Sequence, residues 1–415
     1  MKKKRLSGRL ICTALVLSLT AFIIMGIYGE AIASSSAPET VKIGCANSLT
    51  GHMAMGGKWI KQGYEIGIKH VNDAGGVYIK EFGKKIPLEI KFLDNESVPR
   101  KAANRLEKLY SVDKVDFFLG AFAAHLIIPQ LAIAEKFRVP IIVTTIGSTA
   151  EFEKGYKYSF TPFMSEQDQV IVFLDVLDSI PKGQRPTKIA FFQIQEEWGV
   201  ATGRYLEQFA PKRGYKIVTY EKYAMGANDF SSLIIKAKSD GAEALYTNPT
   251  PPQGLRMIKQ MKEIGWSPKF AYIMRAADIF IWTKNLGKDG DFVCHSGGWD
   301  CHLNLPGVKR FNEDYKSAYG NLPEPPAGSA YVCVQILADA LERAGTLDRD
   351  KVRDAIAATD TMTIMGPLKF KPNGKAVGKY MQTMSQWQNG RDELIWPKDQ
   401  ASAPLAYPIL PWDKR

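Results

Sequence analysis

The residues best suited to chemistry stand late in the chain, in the run Cys294-His-Ser-Gly-Gly-Trp-Asp-Cys301-His302. Two thiols at this separation can close a small disulfide loop in an oxidising compartment. The repeated Cys-His pair also has the donors of a zinc site, although the spacing matches no common finger or ribbon. Two free thiols are the third reading. Cys45 and Cys333 lie in apolar runs and read as buried thiols. Elsewhere reactive constellations are absent: there is no Gly-x-Ser-x-Gly elbow, Gly-x-Gly-x-x-Gly turn, phosphate loop or His-Glu-x-x-His pair. Five histidines show no other ligand spacing. The chain therefore reads as a binder with neither catalytic machinery nor a cofactor.

The N-terminus carries an address. Lys2, Lys3, Lys4, Arg5 and Arg9 precede the apolar run Leu10 to Ile27 and the small-residue site Ala31-Ile32-Ala33. That order is a cleaved signal peptide spanning residues 1–33, which sends the remainder to the periplasm. Cys12 begins the apolar run, so it is no lipid-attachment cysteine. The formal charge of +11 includes five leader cations and one acid, Glu30, so cleavage leaves +7. Those charges form no dense basic run, and a nucleic-acid partner is not expected. The positive balance would attract anionic solutes.

From Val41 onward, short β-rich runs alternate with helical patterns, as in parallel sheets covered by helices. Strands are expected at Val41 to Cys45, Ile86 to Asp94, Val115 to Gly120 and Pro140 to Thr144. The alternation restarts after Tyr156 to Pro162, with strands at Lys188 to Gln193, Lys216 to Tyr220, Ala244 to Thr247 and Lys269 to Ile273. A restart in a chain of this length implies two lobes. From Arg391 onward, the richness in Pro and Trp suggests an extended surface run. Ligands of parallel α/β sheets bind beyond the carboxyl ends of the strands, where helix N-termini favour anions. The loops that matter are then Gly51 to Gly57, Gly120 to His125, Thr144 to Thr149, Glu196 to Trp198, Asn248 to Gln253 and Met274 to Asp278.

The stretch Val41-Lys-Ile-Gly-Cys-Ala-Asn-Ser-Leu-Thr-Gly51 resembles the branched-chain amino acid binding protein family. So do Asn72-Asp-Ala-Gly-Gly76, Gly120 with Pro129, Val139-Pro140, Asp229-Phe230-Ser231 and Met365-Gly-Pro-Leu-Lys-Phe370, in one order along nearly the whole chain. The resemblance implies the type I periplasmic-binding fold, with two doubly wound parallel-sheet lobes joined by three crossing segments. The crossings fall near Tyr158 to Phe163, Cys294 to Trp299 and Val377 to Met381. Residues 41–160 with 297–378 make the first lobe, 163–294 with 381–395 the second, and 396–415 an extended tail. It also implies a monomer that closes on a small organic solute and hands it to an ABC permease driven by an ATPase. A ligand-sensing subunit docking on a membrane receptor or kinase is the alternative.

Family members hold an amino acid's α-carboxylate with backbone N–H groups and hydroxyls after the third and fourth strands. Here the first hydroxyl position is Ala124, with His125 beside it as a substitute donor. The second is Ser148, which could instead cap the short helix that follows. Trp198 matches the aromatic of the second lobe, and Asn248 with Thr250 stands in its next loop. Where the family places an acid for the ligand's ammonium, this chain has Arg275, which grips a carboxylate and repels an ammonium. Asp278 lies three residues on. Met55, Phe122 and Ile146 supply apolar surface. Ala124, Trp198 and Arg275 together favour an aromatic or aliphatic carboxylate over an amino acid.

Overall fold

A computed structural model describes residues 36–415, so the leader and Cys12 lie outside the described residues. Among these residues no helix is long and apolar enough to cross a membrane.

The first half alternates strand and helix: β1 (Val41–Asn47), α1 (Ala54–Asp73), β2 (Val77–Ile79), β3 (Lys84–Ile86), β4 (Leu88–Asp94), α2 (Pro99–Ser111), β5 (Phe117–Leu119), α3 (Ala124–Phe137), β6 (Ile141–Ile142), the short α4 (Thr149–Phe152) and β7 (Ser159–Phe160). Five of these strands form a sheet in the order β4-β1-β5-β6-β7, parallel throughout. In β1 every residue but Lys42 is buried, as expected of a central strand covered on both faces. The order reverses between β1 and β5, so the loops leaving these two strands splay apart and open a crevice.

The alternation then repeats through α5 (Glu166–Asp178), β8 (Lys188–Ile194), α6 (Glu197–Phe209), β9 (Lys216–Tyr223), α7 (Ser231–Ser239), β10 (Ala244–Thr247), α8 (Pro251–Ile264), β11 (Phe270–Ile273), α9 (Ile281–Leu286) and β12 (Val293–His295). Three helices follow, α10 (Val308–Tyr319), α11 (Pro325–Ala344) and α12 (Arg349–Ala357), then β13 (Asp360–Thr363), β14 (Gly366–Phe370), β15 (Ala376–Val377), β16 (Met384–Gln388) and β17 (Arg391–Trp396). The second sheet runs β17-β16-β12-β11-β10-β8-β9 and reverses between β8 and β10.

Side-chain alternation splits the core of the second lobe. Ala190, Phe192 and Ile194 point into one apolar cluster with Ile234, Met257 and Trp282. Ile189 and Phe191 point to the other face, against Phe173, Leu177 and Tyr272. In the first lobe α1 and α11 lie so close that a Cβ on Gly63 would stand 2.1 Å from the Ala327 carbonyl oxygen. Only glycine permits that approach.

Three readings need correction. The second sheet is mixed, because β16 and β17 run antiparallel at its edge. Arg391 to Trp396 is therefore a strand; its first three residues are incompletely buried, which blurs the apolar pattern. Cys294 and Cys301 are free thiols. Cys294 is locked inside β12, in the core with Phe173 and Met384, while Cys301 lies in the turn beyond Trp299. The hairpin β2-β3 and the sheet β13-β14-β15 are additions that the alternating pattern does not announce.

The tail beyond β17 is pinned to the second lobe. Tyr407 donates its hydroxyl to the Gln184 carbonyl at 2.6 Å, and the Ile409 N–H bonds Lys269 O at 3.0 Å. Trp412 Nε1 donates to Trp266 O at 3.0 Å, and the Arg415 guanidinium stacks on the Trp412 ring.

Candidate functional site

Both switch points send their loops towards one set of cross-lobe contacts. On the first lobe, His52 from the loop after β1 stacks on His125 from the first turn of α3, with ring centroids 6.0 Å apart. Desolvation, then the positive neighbours His52 and Arg275, hold the His125 imidazole below its ordinary value. Phe122 is half-buried in the same loop. No side chain caps α3, because its N-cap position is Ala123. The Leu126 and Ile127 N–H groups bond Ala123 O, so those of Ala124 and His125 are left to solvent or to a ligand.

The next loop crosses to the second lobe. Ser148 is almost fully buried and donates its hydroxyl to Glu197 Oε1 at 2.9 Å. It makes no capping bond to α4, so that alternative role is not realised. Thr149 accepts a long bond of 3.4 Å from the Tyr205 hydroxyl.

On the second lobe, Trp198 opens α6 and donates Nε1 to Asn248 O at 3.2 Å. The Arg275 guanidinium lies 4.6 Å from the Trp198 ring centroid. Among the described residues Arg275 has no salt bridge within 4.0 Å and no side-chain hydrogen bond. Desolvation pulls its pKa down, opposed by the fields of Glu166, Asp278 and Glu197. Its backbone is left-handed, φ 66°, as are Ala123 at 73° and Thr145 at 55°. Such conformations cost non-glycine residues about 1 kcal/mol or more each and gather where loops serve ligands. The Ala123 N–H is held by Thr145 Oγ1 at 3.1 Å.

Near these loops two ionisable side chains, Glu166 and Lys375, are buried close to Gly147. Glu166, the first residue of α5, is 3% exposed and its Oε2 has no hydrogen-bond partner. Burial pushes its carboxyl up to about 7, with Lys375 opposing and Glu197 reinforcing the shift. Lys375 donates Nζ to Gly147 O at 3.2 Å, and burial lowers its pKa. A Cβ on Gly147 would stand 2.4 Å from Glu166 Oε1, so glycine is required for the carboxylate to reach this loop.

The structure thus gathers His125, Trp198 and Arg275, with Ser148 bonded across the lobes to Glu197. Ala124 and Phe122 stand in the same loop region. Of the other expected site residues, three make structural contacts and one is open to solvent. Met55 is exposed to solvent, and Ile146 is wholly buried in the apolar cluster of the first lobe. Thr250 spends its hydroxyl on Gln253 Oε1 at 2.9 Å, closing a capping box on α8. Asn248 donates Nδ2 to Thr202 Oγ1 at 3.0 Å, so its amide anchors α6. Sequence reasoning missed Glu166, Glu197, Lys375 and His52. Glu197 stood within reach, being next to Trp198 in a strand-to-helix loop.

Two lobes, one with a parallel and one with a mainly parallel sheet, joined by three crossings, are the architecture of a type I solute-binding protein. The family model described as periplasmic binding protein matches residues 40–391, and the chain belongs to that family. A relative named Leu/Ile/Val-binding protein homolog 7, from Brucella suis, is 25% identical and aligns with 91% of this chain and 97% of its own length. Among solved structures, a branched-chain amino acid transporter substrate-binding protein from Streptococcus pneumoniae, in complex with isoleucine, superposes with a TM-score of 0.73. It is 19% identical, over 89% of this chain and 100% of its own. An ABC transporter solute-binding protein from R. palustris, in complex with benzoate, gives 0.71 at 18% identity, over 88% and 97%. These likenesses establish the fold and place the chain among solute-binding proteins, which are not enzymes.

Proposed function

We propose that the protein is the exported solute-capturing component of an ABC transporter, taking an organic carboxylate between its lobes and passing it to a membrane permease driven by an ATPase. One observation carries the choice of ligand: Arg275 faces Trp198 without an ion-pairing partner, in a strained backbone conformation at the mouth of β11. A desolvated guanidinium with free donors binds a carboxylate through two parallel hydrogen bonds. The uncapped N-terminus of α3 offers backbone N–H groups to the same charge, compensating for the hydroxyl missing at Ala124. Trp198 and Phe122 suit an aromatic body, and the benzoate-bound relative shows that this fold accommodates one.

An amino acid is the second reading, favoured by the acids around Arg275. Glu197 and Asp278 both act on its guanidinium, and either one facing the cleft would meet an ammonium. The isoleucine-bound relative fits this reading.

A thermal-shift and calorimetric comparison of benzoate, 3,4-dihydroxybenzoate, short aliphatic acids, leucine and isoleucine separates the two. A ligand held only by the folded state raises the melting temperature, by about 2.7 kcal/mol of stabilisation at a hundredfold excess over Kd. Stabilisation by the acids alone is expected. Stabilisation by leucine or isoleucine without any response to the acids would overturn the carboxylate reading in favour of the second.

A further inference from the structure

A cavity of about 310 Å³, sharing Asp278 with the loop that carries Arg275, lies between α9, the turn after Trp299, the start of α11 and the β16-β17 hairpin. Its walls carry Asp278, Asp300, Glu324, Asp392 and Glu393 against Arg391 and His302, and burial pushes Glu324 up to about 8, so Asp300, Asp392 and Glu393 carry most of its negative charge. At one end Asp300, Cys301 and His302 turn their donor atoms together, all within 4.8 Å of one another. His302 Nδ1 is 2.8 Å from Asp300 Oδ1 and 3.6 Å from Cys301 Sγ. Sulfur and nitrogen ligands on neighbouring corners of a tetrahedral zinc ion stand roughly 3.5 Å apart, given zinc bonds of about 2.3 and 2.0 Å. The thiol and imidazole are already at that separation, and the imidazole–carboxylate pair needs to open by about half an ångström.

The turn is anchored from outside the triad. Asn312 Nδ2 donates to the Cys301 carbonyl at 2.7 Å, and the Ser385 hydroxyl, on β16, donates to Asp300 Oδ2. Supports of this kind orient ligands around an ion. In the same cavity Asp278 Oδ1 is buried and has no hydrogen-bond partner. We propose that Asp300, Cys301 and His302 bind a zinc-class divalent cation, with a fourth position open to the acidic cavity. Thiol and imidazole donors select such an ion over calcium or magnesium, which take oxygen ligands. Asp300 holds the His302 imidazole in its protonated form, its pKa pushed up to about 11. Binding therefore releases two protons to solvent, one from the Cys301 thiol, which coordinates as the thiolate, and one from His302 Nδ1, which then coordinates through its lone pair.

The test uses the purified protein without a polyhistidine tag, titrated with Co2+ and then Zn2+. A thiolate-to-cobalt charge-transfer band is expected, lost on Zn2+ addition and absent from Cys301→Ser. Ser385→Ala should weaken binding by about tenfold. Because the substitution at Cys301 could disturb folding, mass-mapped alkylation of the unaltered chain gives a second reading. Cys45, Cys294 and Cys333 are buried and Cys301 is partly exposed, so its labelling can be followed by position. Zn2+ should slow Cys301 labelling at least about tenfold, because thiolate reactivity is quenched by coordination. A cobalt band that survives in Cys301→Ser, a Cys301 labelling rate indifferent to Zn2+, or equal protection by Mg2+ would each overturn the site.

Discussion

Two charged regions lie on either side of Asp278, and they differ in sign. On one side Arg275 rests on Trp198 with His52, His125 and the open N-terminus of α3 nearby. On the other, Asp300, Glu324, Asp392 and Glu393 crowd a single cavity. Asp278 is felt by both: its ionisation responds to Arg275 and His295, which favour the carboxylate, and to Asp392, which opposes it, while burial dominates. The contrast teaches that strand-end loops alone do not set ligand charge. The parallel sheet supplies the crevice, and a few side chains decide which ion it accepts.

Breaking one region and leaving the other intact tests that separation. The largest effect is expected from Arg275→Ala, which should weaken carboxylate binding by about a hundredfold, since charge-assisted bidentate pairs contribute some 2–3 kcal/mol. Calorimetry with the acid identified by thermal shift measures it, and cobalt binding at Asp300, Cys301 and His302 should be unchanged. Trp198→Ala follows at about tenfold, from the lost aromatic contact and the lost cation–π support of Arg275.

A smaller effect comes from pH. Glu166 titrates near 7 when folded, above the ordinary carboxyl value of 4.5. It holds its proton in the fold where an unfolded chain would have lost it, so its stabilising contribution is complete below pH 4.5. That contribution is lost as pH rises through about 7. The newly formed carboxylate also repels an anionic ligand. Affinity for the acid should therefore fall by about three- to fivefold between pH 6 and 8, and Glu166→Gln should flatten both this profile and the stability slope. Smallest is Ser148→Ala, which removes the bond to Glu197 and should lower unfolding stability by about 0.5–1 kcal/mol in urea titrations.

Much of the scaffold was legible in the sequence because period-two and helical patterns alternate and restart. The strands at Lys188 to Ile194 and Ala244 to Thr247 fall where the runs of Ile, Phe and Tyr place them. The loops holding Ser148, Trp198 and Arg275 followed from that alternation, and the residue types from family likeness. What escaped depends on pairings distant along the chain. Glu166 and Lys375 meet beside Gly147 only because two crossings bring α5 and the β14-β15 turn together. The left-handed backbone of Ala123, Thr145 and Arg275 is invisible too, since none is a glycine. The expected disulfide failed for a related reason: nearness in sequence says nothing of a cysteine committed to a buried strand, as Cys294 is.

The crossings have a mechanical meaning. Thr161, just past β7, donates its N–H to Gly374 O and accepts from the Ala376 N–H, both at 2.9 Å, so the first crossing is stitched side by side to the segment that leads into the third. Two parallel straps bonded edge to edge bend readily across their common width but resist sliding or twisting, which would break both bonds. Under the proposed function, opening and closing would then have one soft direction, and the lobes would return to the same register each time. A hinge of this kind trades freedom of path for repeatability of grip.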